Sequence, residues 1–188
     1  MPGPQPIIAV FGSSTIRPGE PAWSLAHDLG RELALAGAAV MTGGYGGAME
    51  ACSQGAHEAG GHVIGVTVEL FEPRGPVNRW VRERVHTDHL YARLEHIVER
   101  AGGFVVLPGS VGTLNELFLA WTLVSVHGRP AAPIVLLGQH WERFLGALND
   151  PDLVRPGLFE FVEHAADPGD AARRVLAPAR SAAVAGAR

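Results

Sequence analysis

The chain is predicted to be a single α/β domain with a doubly wound, Rossmann-like parallel sheet of five to seven strands, and three observations predict it. Short apolar runs alternate with amphipathic segments of helix length along most of the sequence. The runs are continuously apolar rather than alternating, as strands are when helices cover both faces of a sheet. Three of them end in glycine-containing turns, which is where a parallel sheet opens its ligand crevice, at the C-terminal ends of its strands.

Taken in order, residues 7–11 (IIAVF) form a first buried strand that ends in Gly12-Ser13-Ser14. From Pro21, the apolar positions Trp23, Ala26, Leu29, Leu33 and Ala36 recur at three- and four-residue steps, the stripe of an amphipathic helix that Gly37 closes. Residues 38–41 form a second strand running into Thr42-Gly43-Gly44-Tyr45-Gly46-Gly47, residues 48–59 a helix, and residues 62–66 a third strand. Residues 67–88, with Pro73, Gly75 and Pro76 and then a mixed Val/Arg run, are expected to be a loop over the sheet. Residues 90–101 are helical, with Leu90, Leu94, Ile97, Val98 and Ala101 on one side and His89, Arg93, His96 and Arg100 on the other. A fourth strand at 104–107 breaks at Pro108-Gly109-Ser110-Val111-Gly112, and a helix resumes at Thr113. Residues 133–137 are a fifth strand, 141–148 a short helix and 159–162 a sixth strand. Asp167-Pro168 opens a last helix as N-cap and first-turn proline.

Composition bounds the function classes. With 188 residues, 47% hydrophobic and 18% charged, one core is affordable; residues 1–178 are read as the nucleotide-binding domain and 179–188, rich in Ala, Gly, Ser and Arg, as a disordered tail. No long apolar run suggests a membrane span, the N-terminus lacks a signal-like pattern, and a cytoplasmic location is expected. The single cysteine, Cys52, cannot form an internal disulfide and argues against a cysteine zinc site. A net charge of −4 with no basic tract argues against a nucleic-acid partner. All fifteen basic residues are arginine. Without a lysine there is no Schiff base to pyridoxal phosphate and no P-loop lysine for a nucleoside triphosphate.

The turn at 108–112 has a phosphate-binding layout: glycines admit an anion to the backbone, and the unpaired N–H groups and positive dipole end of the next helix face it. The turns after the first, second and fourth strands could converge on one site. A dinucleotide fits less well, because GSS is not G-x-G-x-x-G and the second strand ends at Met41-Thr42 without an acidic residue for a ribose. A small molecule with one phosphate, a mononucleotide, is the better fit.

TGGYGGAMEA at 42–51, Arg93, and PGSVGTLNE at 108–116 together resemble the LONELY GUY family, the cytokinin-activating phosphoribohydrolases often labelled lysine decarboxylases. The resemblance runs from about residue 7 to about residue 150. It implies hydrolysis of the N-glycosidic bond of a nucleoside 5′-monophosphate, AMP or an N6-modified relative, with no cofactor. Arg93 and Glu116 match the family's catalytic arginine and glutamate. Gly109, Ser110, Gly112 and Thr113 would take the phosphate, with Gly43 and Gly44 supporting and Gly12 and Ser13 of the first turn beside them. Family members form dimers or larger assemblies, so a homodimer packed partly through the apolar helix at 114–126 is expected. The chain departs from the pattern at Ser110, where the signature has glycine, and at Leu90 and Leu94, where it has methionine and lysine. Molybdenum cofactor carrier proteins share the fold without hydrolysis, and Glu116 is the residue that separates the two readings.

Plainer roles stand beside these. Thr113-x-x-Glu116 also fits a capping box. Arg93 on a helix face is ordinarily a solvated charge. Ser13 and Ser14 serve equally as helix caps or ligand contacts, and Asn78, Arg79 and Trp80 equally as a structural loop or a lid over a base. His86, His89 and His96 lack carboxylates at matching spacing, so no metal is assigned to them. Ser110 lacks the context of a nucleophile.

Overall fold

The computed structural model describes residues 4–127 and 132–177. It alternates β1 (Ile7–Phe11), α1 (Pro21–Leu35), β2 (Ala39–Thr42), α2 (Ala48–Glu58), β3 (Val63–Val68), β4 (Glu83–Thr87), α3 (Leu90–Arg100), β5 (Gly103–Val106), α4 (Val111–His127), β6 (Ile134–Leu137), α5 (His140–Leu148), β7 (Val162–Ala165) and α6 (Pro168–Leu176). The strands form one seven-stranded sheet in the order β4-β3-β2-β1-β5-β6-β7, and every pairing is parallel.

The period of two along each strand divides the core. Ile8 and Val10 of β1 pack with α1, α2 and α6, through residues such as Leu29, Leu33, Cys52 and Val175. Ala9 and Phe11 face the other way, toward Ile97 of α3, Leu117 and Trp121 of α4 and Trp141 of α5. The α1–α2 contact is backbone to backbone, because a side chain on Gly30 would strike the Cys52 carbonyl and one on Gly55 the His27 carbonyl. From β1 the chain builds outward through β2, β3 and β4, then returns through α3 to lay β5 against the other side of β1. That reversal opens a crevice between the C-terminal ends of β1 and β5.

Three expectations are corrected. Residues 67–88 are not all loop: β3 continues to Val68, Glu69–Arg74 is a 3-10 turn, and β4 pairs with β3 from Glu83 to Thr87. As an edge strand β4 needs no continuous apolar run, and Arg84 and His86 are exposed. Residues 159–162 are not the last strand. Pro156–Phe161 is a 3-10 turn and the strand is Val162–Ala165; the Leu158 carbonyl accepts the Trp121 indole N–H at 2.8 Å and Phe159 meets that ring edge-on. Helix α4 begins at Val111, two residues before Thr113. Asp167 caps α6 as expected, accepting the Asp170 N–H at 2.8 Å. The tail at 179–188 lies outside the described residues.

Candidate active site

The first-turn backbone ties three loops together at the crevice. The Ser13 N–H donates to the Pro108 carbonyl at 3.2 Å, and the Ser13 carbonyl accepts the Ala48 N–H at 2.8 Å. The turn after β1 is thereby bonded to the turn after β5 and to the start of α2. Gly47 makes this possible: its φ is +70° and a side chain there would fall on Ser13 and Ser14.

Above this floor is a cavity of about 410 Å³. Gly12, Ser13, Ser14 and Thr15 line it from the first turn, Tyr45, Gly46 and Met49 from the second turn and the start of α2, and Ser110, Gly112, Thr113, Asn115 and Glu116 from the third turn and the start of α4. Phe71, Gly75, Pro76, Leu90 and Leu94 give it an apolar side, and Arg17 and Arg93 bring positive charge. The first N–H groups of α4 have no partner within the helix, and they emerge among the hydroxyls of Ser110 and Thr113. Such a wall suits an anion.

Arg93 does not point into solvent as its helix face predicted; it is 4% exposed. Its Nε–H donates to the Val66 carbonyl of β3 at 2.8 Å, and its Nη1 reaches Glu116 Oε1 at 3.5 Å. The guanidinium occupies the space a Gly43 side chain would take, and its carbon lies 5.7 Å from the centre of the Phe71 ring. Glu116, on the second turn of α4, has a side chain only 15% exposed. Burial pushes its carboxyl up from the ordinary 4.5 to about 7, with Arg93 opposing that rise. The contact is long for a charge-assisted bond, in keeping with burial prevailing over attraction. A group with this value near neutral pH exchanges protons readily, as a general base must.

Glu116 does not act as a capping-box residue. With α4 beginning at Val111 it is the sixth helical residue, beyond reach of the N-cap N–H, and its carboxyl faces Arg93. Of the remaining predicted residues, Gly12, Ser13, Ser110, Gly112 and Thr113 line the cavity, while Gly43, Gly44 and Gly109 are not among its lining. Gly43 leaves room for Arg93, Gly109 for the Thr113 side chain, and Gly44, at φ +78°, accepts the Asn78 N–H at 2.8 Å. Asn78 is a loop anchor, its amide donating to the Tyr45 carbonyl at 3.0 Å, and Arg79 stacks on Trp80 away from the cavity. His89 caps α3 by accepting the Ala92 N–H, and His86 meets Thr67 and Arg84. Among the described residues no three His, Cys, Asp or Glu side chains gather as a metal site would require. Sequence reasoning missed Arg17, Met49 and Phe71. Only Arg17 carried a signal, as a charge just past a glycine-bearing strand end.

A family model described as "Possible lysine decarboxylase" matches residues 49–175. The chain belongs to this family, the LONELY GUY family. As a LONELY GUY protein it is 32% identical over 145 residues to the cytokinin riboside 5′-monophosphate phosphoribohydrolase of Mycobacterium tuberculosis, covering 72% of this chain and 75% of that one. It is 34% identical over 136 residues to the probable cytokinin riboside 5′-monophosphate phosphoribohydrolase of Oryza sativa, covering 68% of this chain but 57% of that relative's length. The solved molybdenum cofactor binding protein of the phototrophic bacterium Rippkaea orientalis superposes with a TM-score of 0.70 at 27% identity, over 89% of this chain and 93% of that one. The decarboxylase wording of the family description finds no lysine in this LONELY GUY member to carry a Schiff base. No helix among the described residues is long and apolar enough to cross a membrane.

Proposed function

We propose that the protein hydrolyses the N-glycosidic bond of a nucleoside 5′-monophosphate, AMP or an N6-modified AMP, to free base and ribose 5-phosphate. The Arg93–Glu116 pair carries this reading: a carboxyl poised near neutrality faces a cavity lined by hydroxyls and a helix N-terminus suited to a phosphate. As the bond from the anomeric carbon to the base nitrogen breaks, its electron pair leaves with the base and positive charge grows on the ribose. Ionised Glu116 stabilises that charge and accepts a proton from water, whose oxygen bonds to the anomeric carbon. The proton passes on to the departing base. Arg93, fixed to β3 through Val66, holds the carboxylate in place. The names of the mycobacterial and rice relatives support this chemistry.

The likeness to a molybdenum cofactor binding protein favours a second reading, in which the chain binds a phosphorylated ligand without cleaving it. Release of base and ribose 5-phosphate from AMP and N6-modified AMP, by the wild type but not by Glu116→Gln, supports the hydrolase. Tight binding of both nucleotides with no release from either overturns it.

We also propose a homodimer packed partly through α4. Phe118 and Val126 of that helix are exposed, and an apolar cavity between α3 and α4 is lined by Leu119 and Val124. Light scattering should give twice the 19.9 kDa chain mass for the wild type and a lower mass for Val126→Asp. A monomeric wild type overturns this proposal.

A further inference from the structure

Two guanidinium groups line the active-site cavity among the described residues, and they stand in opposite states. Arg93 is committed: one nitrogen is on Val66, another faces Glu116, and the group is packed against Gly43. Its guanidinium is thus held between a carbonyl and the Glu116 carboxyl. Arg17 is exposed, and its side chain forms no hydrogen bond, ion pair or ring contact among the described residues. Its backbone is nonetheless fixed. The Arg17 carbonyl accepts the Glu20 N–H at 3.1 Å across Pro18-Gly19, with Gly19 at φ +92°, the geometry of a type II turn. On its other side, Ser13 is bonded to Pro108 and Ala48. A tightly held backbone thus presents a free cation at the rim of a cavity walled by Ser13, Ser14, Thr15, Ser110 and Thr113. Leu94, which also lines the cavity, adds no donor.

We infer that Arg17 is a ligand-binding residue that closes over the phosphate of the nucleotide and supplies the one cation lining the cavity whose side chain has no partner among the described residues. The inference rests on the proposed nucleotide substrate and adds the residue that selects a phosphorylated ligand over its nucleoside. Arg17 suits the task because a guanidinium offers paired N–H donors to two phosphate oxygens. Being unpaired beforehand, it breaks no internal contact in order to bind.

The test measures dissociation constants for AMP, ribose 5-phosphate and adenosine by calorimetry, in a Glu116→Gln background so that no ligand is consumed. Arg17→Gln should weaken AMP and ribose 5-phosphate by about tenfold and leave adenosine unchanged. Arg17→Lys should recover most of the loss, and added salt should weaken AMP binding more in the Arg17-containing protein than in Arg17→Gln. Adenosine binding reports that the variant is folded. Equal AMP affinity with and without Arg17, or an equal loss for AMP and adenosine, overturns the role of Arg17 while leaving the nucleotide site standing. Failure of the Arg17-containing protein to bind either AMP or ribose 5-phosphate overturns both.

Discussion

Replacing Glu116 by Gln is the sharpest perturbation available in this fold. The substitution keeps the side chain's length and an oxygen facing Arg93 Nη1, and it removes the ionisable proton. With the carboxyl near 7, about half the wild-type molecules hold the base form at neutral pH, so the wild-type rate should rise through an acid limb centred there. Two pH units below that midpoint about one molecule in a hundred is ionised, and turnover should fall in proportion. Glu116→Gln should lose on the order of 10²-fold or more in turnover, about 2.7 kcal/mol of transition-state stabilisation, and should show no acid limb. Its affinity for AMP should be kept, since the substitution removes the ionisable proton and not a phosphate contact. The assay follows free base and ribose 5-phosphate by chromatography from pH 5 to 9, with calorimetric binding in parallel. A Glu116→Gln variant within about threefold of wild type, with the acid limb intact, would refute a chemical role for this carboxyl.

The remaining predictions concern stability and positioning. Between the ordinary 4.5 and about 7 the folded chain keeps a proton on Glu116 that the unfolded chain releases, so stability falls as pH rises through this window and levels off above it. The total contribution is about 3 kcal/mol at most, and denaturant midpoints for wild type and Glu116→Gln should diverge across that window; parallel profiles would contradict the burial effect. Gly43→Ala places a methyl where the Arg93 guanidinium lies and 2.6 Å from the Met49 sulfur. It should cost about 1–3 kcal/mol by overpacking and reduce turnover more than AMP affinity, measured by thermal unfolding and steady-state kinetics. Unchanged turnover would show that Arg93 is not held in place by this contact.

The strands near the site were legible because β1, β2 and β5 are paired on both edges and buried, and apart from Thr42 at the end of β2 they carry no polar side chain. β4 was not, since only one edge is paired and ERVHT alternates half-buried with exposed residues instead of running apolar. Arg93 shows a different limit. Its position, three residues after Leu90 and four before Ile97, places it at the margin of the apolar stripe; the helix face alone reads as solvated, and only the family resemblance points to the site. What buries it is a carbonyl on β3 and a carboxylate on α4, neither of which periodicity within α3 can reveal. Gly43 is hidden in the same way. A glycine-rich turn reads locally as room for a ligand, whereas the side chain that fills this space lies fifty residues further along.

The bonds that Ser13 makes to Pro108 and Ala48 turn three loops into a continuation of the sheet. Loops at a strand end ordinarily pay conformational entropy when a ligand orders them. Here that cost is met during folding, and the phosphate of the proposed substrate would enter a floor that is already set. Amide protons at Ser13 and Ala48 should therefore exchange on the slow timescale of the strands beneath them, and a bound nucleotide should change their rates little.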